Sequence, residues 1–223
     1  CCYKLKNIDI SSFNLENTGY TIEYTLPWLF SGTTVINIKL RDIKPGIWTI
    51  RIIPEYIING NYSLYIPNRN IISPTTRFLD ADSSFTITRF GLVREVITIG
   101  TYNEKTNSMW LGSSKGPHGE NELKPDIVAP GVDIISTFLN NTYNTGTGSG
   151  VSSSIVCGIL ALIMEYILNQ TDLPRYSLYN EPLKTYLMIG TTQNSLYSYP
   201  NISQGFGLLN YQNTIIKVAK NIN

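Results

Sequence analysis

The chain has 223 residues, of which 42% are hydrophobic and 15% are charged, and its net charge is +1. This length and composition support a sizeable core in one large domain or two small ones. The near-neutral charge gives no reason to expect nucleic acid or an anionic membrane as a partner. The longest apolar run, Ile155–Ile167, contains Glu165 and is too short to span a bilayer.

The first 90 residues have the pattern of an all-β module. Apolar and polar residues alternate in several segments that are rich in β-branched and aromatic side chains, and turn signals such as Pro45-Gly46 separate them. The predicted strands are Thr18–Thr25, Thr34–Leu40, Trp48–Ile53 and, as the return strand of a hairpin, Asn59–Ile66. Short strands at this spacing predict a jelly roll or sandwich over residues 1–90.

From residue 91 the pattern changes to strands that alternate with helices. The predicted strands are Val93–Gly100 and Asp126–Pro130, and the predicted helices are Val151–Leu168, Pro182–Ile189 and Asn213–Ile222. Such alternation is typical of an α/β layer with a parallel sheet. The sequence therefore predicts a second, α/β domain over residues 91–223.

The cysteines stand at positions 1, 2 and 157. An adjacent pair and one distant cysteine provide neither a disulfide framework nor the spacing of a metal site. We therefore expect no metal and no cofactor, and we expect Cys157 to be a small buried core residue. The chain shows neither an initiator Met nor a signal peptide, and we interpret it as a fragment or a processed product.

Several segments between residues 93 and 216 resemble one enzyme family in the same order along the chain. They are Val96–Asn103, Ser113–Pro117, Lys124–Gly131, Leu183–Gly190 and Gly205–Asn210, with a glycine-rich helix start at Gly148–Gly158. The signature Lys-Pro-Asp-Ile-Val-Ala-Pro-Gly at 124–131 is the most specific of them. Together they resemble the C-terminal half of the subtilisin-type serine proteases (subtilases, peptidase S8). The resemblance implies a subtilisin-like parallel-sheet domain over residues 91–223.

The first 90 residues make the resemblance more specific. Gly46–Ile50, Asn59–Tyr62 and Phe78–Asp82 resemble the jelly-roll insertion of the Csp subtilisin-like proteins of clostridial spores. That resemblance implies a place in the bacterial spore and a role in germination, in which active members cleave the zymogen of a cortex-degrading hydrolase. The implied partner is a protein or peptide, either another Csp protein or such a zymogen. Some Csp members are pseudoproteases.

The position of the catalytic serine carries a glycine. The family's helix opens with Gly-Thr-Ser, and the aligned residues here are Gly148, Ser149 and Gly150 when the register is anchored on Gly158. A glycine has no oxygen and cannot form an acyl-enzyme. The resemblance therefore implies a catalytically dead pseudoprotease that acts by binding. The alternative is an active serine endopeptidase in which a slip of register recruits Ser149 or Ser152.

The remaining parts of a catalytic triad are not evident in this sequence. The resemblance places the family's Asp, His and oxyanion-hole Asn upstream of the β module, so the alternative needs them from another part of the protein. His118 lies in a Gly-Pro-His-Gly loop that does not match the catalytic His. Asp82 fits a solvated loop carboxylate, and Asp126 and Asp133 fit residues that fix the turn between them. The tyrosine-rich strands of the β module leave a carbohydrate or peptide face open as a further alternative.

Overall fold

The computed structural model of the chain describes residues 10–15, 17–25, 34–55, 60, 62–67, 70–116 and 123–220. The chain divides into two compact units, Cys1–Asn61 and Tyr62–Asn223. The boundary between them lies N-terminal to residue 90, where the sequence predicts a domain boundary. The division into a module at 1–90 and a module at 91–223 stays a prediction.

Hydrogen bonds explain why the residues before position 90 belong with the second unit. The backbone N–H of Phe85 donates to Gly116 O at 3.2 Å, and that of Thr86 donates to Lys115 O at 3.0 Å. In return, Lys115 N donates to the Thr86 hydroxyl at 2.8 Å. Ile87 is buried beside this contact. This part of the predicted β module is therefore bonded to a loop of the α/β domain.

The first unit contains a three-stranded antiparallel sheet. Its strands are β1 (Ile10–Leu15), β2 (Thr18–Thr25) and β3 (Val35–Arg41), with β2 in the centre. The two predicted strands that begin at residues 18 and 34 are therefore confirmed. Phe13 of β1 lies opposite Tyr20 of β2, and their stacked rings have centroids 5.2 Å apart. Such cross-strand aromatic pairs stabilise a sheet.

Two other predicted strands are not found. Trp48–Ile53 has no regular secondary structure, so that prediction was wrong. In the predicted hairpin strand, residues 59 and 61 lie outside the described residues, and residues 62–66 form no strand. Alternation of side chains does not make a strand unless a neighbouring strand satisfies its backbone N–H and C=O groups. The jelly roll stays a prediction, because the described part of the first unit is a three-stranded sheet.

The second unit is built on a small mixed sheet. Its strands are β4 (Ile99–Asn103), β5 (Ser108–Met109) and β6 (Ile127–Pro130), in the order β5-β4-β6. β4 pairs with β6 in parallel and with β5 antiparallel. A separate antiparallel hairpin consists of β7 (Ile134–Phe138) and β8 (Thr142–Gly146). The parallel pair confirms the predicted α/β layer.

The strand predicted at Val93–Gly100 begins later than expected. A short 3-10 helix occupies Arg89–Leu92, a turn follows it, and β4 starts at Ile99. The first part of the prediction was therefore wrong. The side chain of Arg94 is largely exposed, and a charged side chain inside the apolar run keeps this segment at the surface.

Three helices complete the second unit. They are α1 (Ser149–Gln170), α2 (Asn180–Gly190) and α3 (Tyr211–Lys220), with short 3-10 helices at Leu139–Asn141 and Arg175–Leu178. All three predicted helices are confirmed with ends shifted by a few residues, and the last two residues of the third prediction lie outside the described residues. Glu181 lies in the first turn of α2, where a negative charge stabilises the helix dipole.

One face of α1 packs on the sheet and supplies much of the core. Ser152, Val156, Ile163 and Ile167 are buried, and their spacing places them on one side of a helix. The core cluster consists of Ile127, Ala129, Val156, Ile163, Ile167, Leu183, Leu187 and Val218, so it joins α1, α2 and α3 to β6. Burial of each large aliphatic side chain stabilises the unit by roughly 1.5–3 kcal/mol.

By length and composition alone, α1 is also long and apolar enough to cross a membrane. Its 18-residue window has a mean hydropathy of 2.0, and 22% of that window is buried. The core helix of a globular domain satisfies the same criterion, and α1 contacts both β4 and β6. The prediction that no membrane is a partner stays a prediction.

A buried ion cluster connects β6, α2 and the segment before β4. The Asp126 carboxylate accepts hydrogen bonds from Lys124 Nζ at 2.9 Å, Lys184 Nζ at 2.9 Å and the backbone N–H of Thr98 at 2.6 Å. The side chains of Asp126 and Lys124 are only 2% and 5% exposed. The carboxylate is therefore the common acceptor for three separate segments of the chain.

The cluster contains two ammonium groups and one carboxylate, and backbone carbonyl oxygens accept further hydrogen bonds from both ammonium groups. Lys124 Nζ also donates to Val96 O at 2.6 Å, and Lys184 Nζ donates to Arg94 O at 2.9 Å. The main chain of Asp126 is bonded as well, since its carbonyl accepts from Phe206 N at 2.8 Å. Asp126 thus bonds the segments around Thr98, Lys184 and Phe206 to one another, and its predicted role in fixing the turn between Asp126 and Asp133 stays a prediction.

Replacing Asp126 by Asn is expected to lower the free energy of unfolding of the second unit by about 3–5 kcal/mol, because two buried ammonium groups lose their counter-ion. Urea denaturation monitored by the fluorescence of Trp110 measures this loss. The matched control is Glu181→Gln, which removes an exposed carboxylate 3.9 Å from Arg94 and is expected to cost less than about 1 kcal/mol. Equal losses in the two variants would contradict the structural role of the cluster.

The stability of the second unit should rise as the pH approaches 10 from below. Burial lowers the pKa of Lys124 below its ordinary 10.5, Asp126 offsets part of this effect, and Lys184 adds to it. Between the lowered pKa and 10.5 the unfolded chain holds more protons, so the free energy of unfolding rises with pH. We expect this rise in the pH range just below 10.5 in the wild type and its absence in Lys124→Met. Parallel pH profiles for the two proteins would contradict the prediction.

Candidate active site

The N-terminus of α1 lies beside the C-terminal end of the parallel strand β6. Gly148, the residue before the helix, has a φ of 153°, which residues with a Cβ rarely adopt. Its N–H donates to Gly131 O at 2.8 Å, and its carbonyl accepts from Val151 N at 3.1 Å. These two glycines therefore fix where the first turn of α1 lies.

Gly150, the predicted nucleophile position, is the second residue of α1 and is exposed. Apart from its two chain neighbours and the nearby backbone of α1 itself, no atom of the described residues lies within 4 Å of the point where a Cβ would be. Its carbonyl accepts a hydrogen bond from the Ser154 hydroxyl at 2.9 Å. The position therefore has room for a side chain but carries no oxygen that could attack a carbonyl carbon.

The two alternative serines have different surroundings. Ser149 is exposed at the first position of α1, and its hydroxyl has no hydrogen-bond partner among the described residues. Ser152 is 0% exposed, and its Oγ lies 3.0 Å from Thr101 Oγ1, 3.1 Å from Ala129 O and 3.0 Å from Pro130 O. The Ser152 hydroxyl thus connects α1 to β4 and β6. This burial favours Ser149 over Ser152 as the alternative nucleophile.

The first turn of α1 presents partial positive charge. The first backbone N–H groups of a helix, here those of Ser149 and Gly150, lack partners within the helix. The helix dipole adds positive potential at the same end, and the first turn of α1 contains no acidic residue. Such an arrangement stabilises a negatively charged oxygen, as an oxyanion site does.

Other residues singled out in the sequence lie apart from this helix end or are engaged locally. His118 lies outside the described residues. The Asp82 carboxylate accepts from Ser84 N at 2.8 Å and from the Ser84 hydroxyl at 2.7 Å, the bonding of a loop carboxylate. Asp133 accepts from the Thr147 hydroxyl at 3.3 Å and so fixes its loop. Within the described ranges, no group of three or more His, Cys, Asp or Glu could hold a metal ion.

Cys157 is exposed on α1, so the prediction of a buried cysteine was wrong. Its neighbour Val156 is buried against the sheet, and adjacent helical residues point about 100° apart. Leu168, which lies on the same side of the helix as Cys157, is also exposed. An apolar sequence run does not reveal which of its residues face the sheet.

Sequence reasoning missed the hairpin of β7 and β8. Its tight turn contains Asn140 and Asn141, both with a φ of 57°, a conformation that asparagine tolerates. This Asn-Asn pair between two β-branched segments was the available signal. Ile135 and Tyr143 are exposed on the hairpin. Because β8 ends at Gly146, just before α1, the hairpin adds apolar surface next to the candidate site.

Comparison with known proteins agrees with this geometry. The sequence profile of the Subtilase family (Peptidase_S8) matches residues 58–207, about two thirds of the chain. The chain belongs to the subtilase family. The match includes β4, β6 and all of α1, so Gly150 lies within the region that matches the family.

Curated relatives of this subtilase chain are large peptidases. The C5a peptidase of Streptococcus pyogenes serotype M18 (strain MGAS8232) is 39% identical over 62 residues, which cover 27% of this chain and 5% of the relative. The PII-type proteinase of Lactococcus lactis subsp. cremoris is 33% identical over 106 residues, which cover 47% of this chain and 5% of the relative. The matched segments therefore span about a twentieth of the length of these relatives.

A solved structure shares the fold of nearly the whole subtilase chain. The Clostridium perfringens CspB protease matches with a TM-score of 0.80 and 24% sequence identity, covering 97% of this chain and 46% of that chain. The match confirms the subtilisin-like α/β fold and the likeness to a Csp protein. The chain spans just under half of the CspB structure.

Replacing Gly150 by Ser should leave the fold unchanged, whereas the same change at Gly131 should not. The open space at Gly150 and the better helix propensity of serine predict a change in unfolding free energy below about 1 kcal/mol. A Cβ at Gly131 would meet Ser152 Oγ, would lie 2.7 Å from Thr101 Cγ2 and 3.0 Å from Gly148 O, and should cost about 2 kcal/mol or more. Urea denaturation of the two variants measures the difference, and a larger loss for Gly150→Ser would contradict the structure.

Proposed function

We propose that this chain is part of a Csp-like pseudoprotease that binds a protein segment without cleaving it and acts in spore-germination signalling. The observation that carries the proposal is Gly150, which occupies the position of the catalytic serine in the family register. The register is supported by the matching segments on both sides of it, including the 124–131 signature.

The contacts around the helix start support a role in binding. Gly131 and Gly148 hold the first turn of α1 at the end of β6, and Ser152 bonds the helix to both parallel strands. The partial positive charge of that turn still favours a peptide carbonyl or carboxylate. The surroundings of the nucleophile are thus retained while its oxygen is absent. A helix end of this kind can bind a peptide oxygen, but without the serine oxygen it cannot form a covalent bond to the peptide.

The chemical cost of the glycine is large. In subtilisin, the measured case, loss of the nucleophile lowers turnover by about 10⁶-fold. The activity that remains comes from binding and from stabilisation of the oxyanion. At that level, cleavage would contribute little, and binding would be the function of the site.

The biological setting of the proposal rests on the Csp resemblance. The structural likeness to the CspB protease extends over 97% of this chain, which supports assignment to the Csp group of subtilases. We therefore place the protein in the bacterial spore, with another Csp protein or a cortex-hydrolase zymogen as its partner. Exposed apolar side chains of the hairpin, such as Ile135 and Tyr143, offer a surface for such a protein segment.

The second candidate function is an active serine endopeptidase of the same family that cleaves the hydrolase zymogen. The observation that favours it is the exposed hydroxyl of Ser149, one residue from the family position and without a hydrogen-bond partner among the described residues. Such a nucleophile needs a general base and an orienting acid from elsewhere in the protein. The buried hydroxyl of Ser152 is less suited to this role.

A fluorophosphonate probe distinguishes the two candidates. The whole polypeptide that its gene encodes is treated with the probe beside an active subtilase, and intact mass and peptide mapping locate any label. We expect the active subtilase to label and the wild-type polypeptide to remain unlabelled. A label on Ser149 that disappears in Ser149→Ala would overturn the pseudoprotease proposal.

The Gly150→Ser variant extends this experiment. If it acquires a label at position 150, the glycine alone blocks catalysis and the rest of the triad is functional. If it remains unlabelled although it folds, the base or the orienting acid has been lost as well. Both results agree with a pseudoprotease, and they separate an evolutionarily recent loss of the nucleophile from a more complete one.

A further inference from the structure

The second unit contains a cavity of about 290 Å³ on the sheet face opposite α1. Thr101 of β4 faces α1, since its hydroxyl oxygen lies 3.0 Å from Ser152 Oγ. The next side chain, Tyr102, points to the other face because side chains alternate along a strand. Tyr102 and Leu208 line the cavity. The cavity is therefore separated from Gly150 by the sheet, and the proposed function does not account for it.

The lining of this cavity is polar but uncharged. Of its ten lining residues, four carry amide side chains, four carry hydroxyl groups and two are apolar, and none of these described residues is charged. The amides are Asn107, Gln193, Asn194 and Gln204. Six of the ten lining residues are exposed, so the cavity is open to solvent, and an ionised ligand would gain no counter-ion from its lining. The lining therefore favours a neutral ligand with several hydrogen-bonding groups.

Three of the amides are each fixed by one hydrogen bond within the chain. Gln193 Nε2 donates to a backbone carbonyl at 3.0 Å, which leaves its oxygen as an acceptor. Asn194 Oδ1 accepts from a backbone N–H at 3.0 Å, and Gln204 Oε1 accepts from the Tyr199 hydroxyl, which leaves both amide nitrogens as donors. Fixed donors and a fixed acceptor thus surround one small space. Such preorganisation lowers the entropic cost of binding.

The hydroxyl groups of a ligand would suit these fixed donors and this fixed acceptor, because each hydroxyl group can both donate and accept a hydrogen bond. Tyr102 and Tyr197 add aromatic rings with an apolar face and a polar end, against which the C–H face of a sugar ring can pack. Burial, together with nearby Glu104, raises the pKa of Tyr102, so its hydroxyl keeps its proton at neutral pH. The volume lies at the lower end of ligand pockets and suits one or two sugar rings.

From this lining we infer that the cavity formed by β4, β5 and residues 192–208 is a binding site for a neutral saccharide. The site is independent of the helix end at Gly150. It gives the protein a second, non-peptide ligand and connects it to a carbohydrate-containing surface or polymer.

The test uses the full 223-residue chain, with saturation-transfer NMR and calorimetry. The neutral probes are glucose, N-acetylglucosamine and maltose, and the comparison probes are glucuronate, glucosamine and a blocked Ala-Ala dipeptide. We expect at least one neutral saccharide to bind more tightly than every comparison probe. Gln204→Glu and Asn194→Asp each replace an amide donor by a carboxylate, and each should weaken binding roughly three- to tenfold.

Matched variants keep the test specific to the cavity. Asn144→Asp makes the same chemical change on the exposed strand β8 and should leave saccharide affinity unchanged, as should Gly150→Ser. Tyr197→Phe keeps the ring and should retain most of the affinity, whereas Tyr197→Ala should lose it. The inference is overturned if no neutral saccharide binds, if the dipeptide binds better, or if affinity is the same in the cavity variants and in Asn144→Asp. None of these results depends on whether the protein is a pseudoprotease.

Discussion

The second unit depends on the burial of one carboxylate, that of Asp126. Removing a charge from water costs several kcal/mol, so the site is stable only when its partners are in place. Lys124, Lys184 and the backbone N–H of Thr98 supply them from three segments of the chain. Because these partners come from the segment before β6, from α2 and from the segment before β4, the cluster connects the sheet to α2. The core of aliphatic side chains packs against β6, the strand that follows this cluster.

The position of the candidate active site follows from this sheet. Once β6 is fixed, Gly131 at its end and the Ser152 hydroxyl determine where α1 begins. The glycines at 131 and 148 are needed there because the first lacks space for a Cβ and the second has a positive φ. Gly150 differs from both, since neither space nor backbone conformation requires a glycine at that position. The absence of a side chain at Gly150 is therefore not a demand of the fold.

The two faces of the sheet carry different chemistry. Two adjacent residues of β4 show this. Thr101 forms a hydrogen bond with Ser152 of α1 on one face, whereas Tyr102 lines an uncharged cavity on the other face. One face leads to a helix end whose dipole favours a peptide oxygen, and the other offers fixed amides that favour hydroxyl groups. The alternation of side chains along one strand is what keeps the two sites separate.

The sequence by itself determined the family, the three helices and the strands at residues 18, 34 and 126. These features depend on local periodicity and on short motifs such as the 124–131 signature, and both involve residues that are close together in the sequence. Only the tertiary structure decided that Ser152 and Asp126 are buried, that Cys157 is exposed, and that Trp48–Ile53 forms no strand. It also brought together the cavity lining from β4, β5 and residues 192–208. The physical reason is that burial and strand pairing depend on partners far away in the chain, which no local pattern specifies.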